Sequence, residues 1–88
     1  MRTIEGYVEN NTGLTSRISV DLVSEANRFS SHIEIKVLDE CADLKSIMNV
    51  MALVVPHGEY FTITIEGEDE DEAAEKMEAK LKFLNLSK

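Results

Sequence analysis

The residue best placed to do chemistry is Ser46, which stands immediately before a short run, Ile47 to Val55, that is apolar almost all round. Its hydroxyl is positioned as an N-cap, able to accept a hydrogen bond from an orphan amide of the first turn, and Pro56 bars continuation just past the run. The spacing predicts a helix of about two to three turns. Ile47, Met48, Val50, Met51, Leu53 and Val54 cannot all point inward from so short a helix, so part of it is expected to stay exposed as an apolar patch. Met48 and Met51 lie one turn apart, and thioethers suit adaptable contact surfaces.

Other reactive residue types have simpler readings. The one cysteine, Cys41, has no partner for an internal disulfide and no metal-spaced Cys or His companion, and it reads as a small half-buried strand residue. His57, between Pro56 and Gly58, reads as a solvated turn histidine, because a nucleophile must also be held for attack. Six of the seven residues from Glu66 to Glu72 are acidic, but they lack calcium-loop spacing. That run reads as a helix start, with Asp69 as the cap and Glu72 reaching back from the third helical position. The sequence implies no metal and no cofactor.

The elements that must position these residues follow from periodicity. Thr3 to Glu9 alternates, with Ile4, Gly6 and Val8 on one side, as a strand with one wet face does. Asn10 to Gly13 are turn formers, and a helix is predicted from Arg17 to Arg28 with Ser16 as its N-cap and Asp21 early enough to favour its dipole. Its apolar stripe is Ile18, Leu22, Ala26 and Phe29 with Val23 beside it, and Arg28 falls in the last turn. Ile33, Ile35 and Val37 mark a second strand, Cys41 to Leu44 a short third strand at an edge, and Tyr60 to Glu66 the strongest strand, with Phe61, Ile63 and Ile65 inward. A last helix near Glu70 to Leu86 lines up Ala74, Met77, Leu81 and Leu84. This order predicts an α+β fold, an open-faced sandwich with a four-stranded antiparallel sheet covered on one face by three helices.

The 88 residues make one domain, 1–88, with no linker, repeat or low-complexity segment. A formal net charge of −8 argues against nucleic acid as a direct partner, since phosphate binding rests on a basic surface. No apolar run is long enough for a membrane span and none resembles a signal peptide, so no membrane partner and a cytoplasmic location are expected.

Several segments, in order and at compatible spacing, carry a family likeness. They are Gly13-Leu14-Thr15-Ser16-Arg17, Glu25-Ala26-Asn27-Arg28-Phe29, Lys45-Ser46-Ile47-Met48 with Val50-Met51 behind it, and Gly67-Glu68-Asp69-Glu70 before the final helix. Together they resemble HPr, the histidine-containing phosphocarrier of the bacterial sugar phosphotransferase system, whose fold is such an open sandwich. In that family a histidine carries the phosphate, and the resemblance puts Thr15 at the histidine and Ile18 at the proline that follows the arginine. Imidazole is a neutral nucleophile near pH 7 and gives a labile N–P bond, whereas a threonine hydroxyl needs an adjacent base and forms an ester that is a poor donor. Relay catalysis is therefore expected to be absent, although Arg17 is retained.

The resemblance implies a second site. In HPr proteins of Gram-positive type, a dedicated HPr kinase/phosphorylase modifies the serine matching Ser46, and the modified form binds a LacI-type catabolite repressor. Variants that lack the histidine and keep the serine are Crh-like. On this likeness Ser46 is the regulatory phosphorylation site, and Arg17, Lys45, Ile47, Met48 and Met51 are the partner-binding residues. The alternative is a component that binds phosphotransferase-system enzymes without carrying phosphate, as a decoy or in assembly. Asn49 and Val54 replace common glycines of the family, and Leu38-Asp39 replaces a common Asn-Gly turn.

Overall fold

A computed structural model of the chain describes residues 1–8, 16–53 and 58–83, except for the side chain of Ser16. The expected turn at Asn10 to Gly13, together with Thr15, His57, Val54 and Leu84, lies outside the described residues. The elements run β1 (Arg2–Tyr7), α1 (Ser16–Ala26), β2 (His32–Val37), β3 (Glu40–Asp43), α2 (Ile47–Met51), β4 (Tyr60–Glu66) and α3 (Glu70–Phe83). The strands form one antiparallel sheet in the order β1-β4-β2-β3. Antiparallel pairing with one wet face is what the alternating sequence demands.

Register carries that alternation across the sheet. Ile4 stands opposite Ile63, Ile63 opposite Ile35, and Ile35 opposite Ala42, so one row of apolar side chains crosses all four strands. All four are buried beneath the helices. Leu22, Val23, Ala26 and Phe29 complete the core from α1 and the turn after it, Val50 from α2, and Ala73, Ala74, Met77 and Leu81 from α3. Ile63 and Ile65 are wholly buried in the central strand β4, and burying such a side chain is worth about 1.5 to 3 kcal/mol.

The structure departs from the expected pattern where tertiary partners intervene. Strand β3 begins one residue earlier than expected, and pairing of Ala42 with Ile35 turns Ala42 inward, so Cys41, paired with Lys36, is exposed rather than half-buried. The hairpin joining β2 to β3 has a loop of Leu38 and Asp39, with Leu38 at a φ of 57°, a region that β-carbons resist. Helix α1 stops at Ala26, which leaves Arg28 outside its last turn, where it pairs with Glu25 at 3.3 Å. Asp21 likewise lies beyond the first turn.

At the start of α3 the Asp69 carboxylate turns to another part of the chain rather than to the amides of its own helix. Oδ2 accepts from the Ser30 N–H at 2.9 Å, and Oδ1 accepts from the Ser31 N–H at 2.9 Å and from the Ser31 hydroxyl. Glu70, not Glu72, reaches back, accepting from the Gly67 N–H at 3.2 Å. The Ser31 hydroxyl first, and then the Ser30 amide, hold the Asp69 carboxyl down from 3.8 to about 2. A depressed carboxylate pKa gives stability that is complete above its unfolded value and is lost as pH falls through the folded one. This contribution therefore fades from the ordinary 3.8 toward about 2. An NMR titration of the Asp69 carboxyl should have its midpoint near the lower value, and a midpoint at the ordinary one would contradict the clamp.

Gly67 is required by the same junction. Its φ is +155°, and a β-carbon there would lie 2.5 Å from Ser31 Oγ and 2.6 Å from the Ser31 Cα. Backbone cannot move aside as a flexible side chain can, so Gly67→Ala is expected to cost about 1 to 3 kcal/mol. In a domain of this size each kilocalorie lowers the melting temperature by about 4 to 8 °C. A melting scan that shows no loss would mean that the junction relaxes freely.

Candidate functional site

The site is assembled where β3 turns into α2. The Asp43 carbonyl accepts from the Ser46 N–H at 3.0 Å, and Asp43 Oδ1 accepts from the Lys45 N–H at 2.9 Å, which fixes the approach to the helix. Ser46 has extended backbone angles, φ −109° and ψ 111°, as an N-cap must. Its carbonyl accepts the first helical bond, from the Val50 N–H at 3.0 Å. Its Oγ accepts from the Asn49 backbone N–H at 3.4 Å and from Asn49 Nδ2 at 3.1 Å. The predicted cap is therefore present, and Asn49 joins it.

The same corner ties α2 to the end of α1. Lys45 Nζ donates to the Phe29 carbonyl at 2.6 Å, and Asn27 Nδ2 donates to the carbonyls of Val23, at 2.9 Å, and Lys45, at 3.0 Å. Carbonyls at a helix C-terminus lack partners within the helix, and Asn27 and Lys45 supply them to the last turn of α1 and the turn beyond it. The Lys45 ammonium, expected at the partner face, is half-buried and bonded to the end of α1.

Helix α2 is five residues long, shorter than expected, and Ala52 closes it with bonds to the Met48 and Asn49 carbonyls at 3.2 and 3.3 Å. Val50 alone is wholly buried, whereas Met48 is 80% and Met51 52% exposed. The methionines thus form an outward face one turn long. Ile47, also expected at the partner face, is half-buried and packs against the core. Arg17 is exposed in the first turn of α1 and, among the described residues, shares no hydrogen bond or ion pair with Ser46 or Lys45.

An open groove of about 610 Å³ borders this face, lined by Met48, Asn49, Ala52 and Leu53 from α2 and the residues after it, and by Glu40 and Cys41 from the sheet edge. Sequence reasoning missed Asn49 as a hydrogen-bonding neighbour of Ser46. The signal was available, since a polar side chain three residues after an N-cap is the spacing of a capping box. Among the described residues, no group of three or more His, Cys, Asp or Glu side chains could hold a metal ion, and no helix is long and apolar enough to cross a membrane.

A family model described as the PTS HPr component phosphorylation site matches residues 3–82. A phosphocarrier protein HPr from Lysinibacillus sphaericus is 38% identical over 87 residues, covering 99% of each chain. The HPr-like protein Crh of Bacillus subtilis (strain 168) is 43% identical over 68 residues, covering 77% of this chain and 80% of its own. A solved structure of a mycoplasma histidine-containing phosphocarrier protein superimposes with a TM-score of 0.95 at 32% identity, covering 99% of each chain.

Proposed function

Because the chain belongs to the HPr family of the bacterial phosphotransferase system, we propose that it is a non-catalytic, Crh-like regulator of carbon catabolite control, switched by phosphorylation at Ser46. The observation that carries this reading is the capped, half-exposed Ser46 beside the exposed face of Met48 and Met51. Phosphorylation adds about 1.5 to 2 negative charges and three strong acceptor oxygens at that point, a site for a partner's arginine beside adaptable apolar contact. The modifying enzyme in this reading is an HPr kinase/phosphorylase, and the partner is a LacI-type catabolite repressor. In this reading Thr15 takes the place of the family's histidine, which favours a regulator over a relay.

The second reading, a component that docks phosphotransferase-system enzymes without carrying phosphate, is favoured by the methionine face being exposed in the unmodified protein, with Arg17 also exposed. Titrating phosphorylated and unmodified protein against the repressor separates the two. A regulator binds unequally in the two forms.

A further inference from the structure

Resting on the reading of Ser46 as a phosphorylated serine, we infer that Asn49 is a positioning residue that latches the Ser46 hydroxyl and sets how fast it is phosphorylated. A serine hydroxyl offers one O–H donor and two acceptor lone pairs. Both Asn49 donors, the backbone N–H at 3.4 Å and Nδ2 at 3.1 Å, point at this one oxygen. One residue therefore occupies the acceptor capacity of the atom that must act as nucleophile.

Phosphoryl transfer to Ser46 requires a lone pair of Oγ to form the Oγ–P bond. The bond from the γ-phosphorus to the departing nucleoside diphosphate breaks, and the hydroxyl proton passes to a base on the kinase, with a nucleoside triphosphate as donor. At least one of the two bonds from Asn49 must be given up on the way. The backbone N–H is fixed by the helix, whereas the carboxamide rides on a rotatable side chain that is exposed. The carboxamide is thus the movable part, and water can receive it when it swings away. It also makes the shorter of the two bonds, so it is the main restraint on where Oγ points.

Asn49→Ala removes the carboxamide, keeps the backbone donor and the Ser46 cap, and raises the helix preference. With full-length protein, an HPr-type serine kinase and a nucleoside triphosphate, kcat for Ser46 phosphorylation is expected to rise roughly two- to tenfold, the size of one net hydrogen bond. KM should stay the same, because the methionine face is untouched. Side-chain coupling constants on the unmodified protein give a second readout that needs no kinase: Ser46 should hold one χ1 rotamer in the wild type and average over several in Asn49→Ala. A kcat in Asn49→Ala equal to or below that of the wild type overturns the latch and leaves the regulatory reading standing, as does an unchanged rotamer. Phosphate on the variant but not on the wild type would be the latch at its strongest. No phosphate on Ser46 in either protein overturns the regulatory reading and the latch with it.

Discussion

Incubated with phosphoenolpyruvate and the phosphotransferase relay enzyme, the protein is expected to remain unlabelled. The relay needs a nitrogen nucleophile that is neutral near pH 7 and whose phosphoryl bond is labile enough to be passed on. On the family resemblance Thr15 takes the histidine's place, and a threonine hydroxyl is a weak nucleophile without a neighbouring base and forms a phosphate ester that would not be handed on. The expected effect is close to all-or-none. The control that matters is His57. Val8 and Gly58 are joined by a hydrogen bond from the Gly58 N–H to the Val8 carbonyl at 2.9 Å, and the Val8 N–H donates to the Glu59 carbonyl at 2.9 Å. These bonds tie the chain at Gly58 and Glu59 to the end of β1. Acid-labile phosphate on the protein would overturn the expectation, and its disappearance in His57→Ala would identify the carrier.

What the sequence made legible were features that depend on local pattern. Strands β2 and β4 declare themselves through alternating β-branched and aromatic residues, and their inward faces are the ones read from the sequence. Ser46 is legible because an N-cap is defined by its own helix. Features decided by distant partners were not. The Asp69 carboxylate could serve its own helix or the amides of Ser30 and Ser31, and nothing near Asp69 in sequence announces the second choice. Lys45 adjoins Ser46 in sequence, yet its ammonium binds the Phe29 carbonyl beyond the end of α1. Cys41 lies in a strand of four residues, too short for alternation to fix its face until Ala42 pairs with Ile35.

That outcome for Lys45 bears on how the switch would act. With the Lys45 ammonium bound to the Phe29 carbonyl in the unmodified protein, an arginine of the partner is the expected counter-charge for a phosphate on Ser46 in the proposed complex. The modified protein then carries a charge matched only when the partner is present. This gives a difference in affinity between forms without a change of fold. A population shift is not required, because the phosphate itself is the differential contact.

Phosphorylation of Ser46 is therefore expected to leave the melting temperature nearly unchanged and to alter repressor affinity strongly. One or two charge-assisted hydrogen bonds at about 1.5 to 3 kcal/mol each correspond to a tenfold change or more in Kd. Ser46→Ala should fold, lose at most about 1 to 2 kcal/mol from the missing cap, and be blind to the kinase. The methionines supply the second half of the contact, and their exposure sets the outcome of substitution. Because Met51 is 52% and Met48 80% exposed, neither supports the core as Val50 does. Met51→Ala should thus leave the melting temperature almost where it was and weaken docking by roughly tenfold or more if it fills a pocket on the partner, the behaviour of a central interface residue. Met48→Ala should act in the same direction. Calorimetric titrations of the four proteins, each with and without phosphate where Ser46 is present, distinguish the contributions. Equal repressor affinity for the phosphorylated and unmodified wild type would rule out the switch, and a Met51→Ala loss that persisted without phosphate would then favour a docking surface that works in the absence of modification.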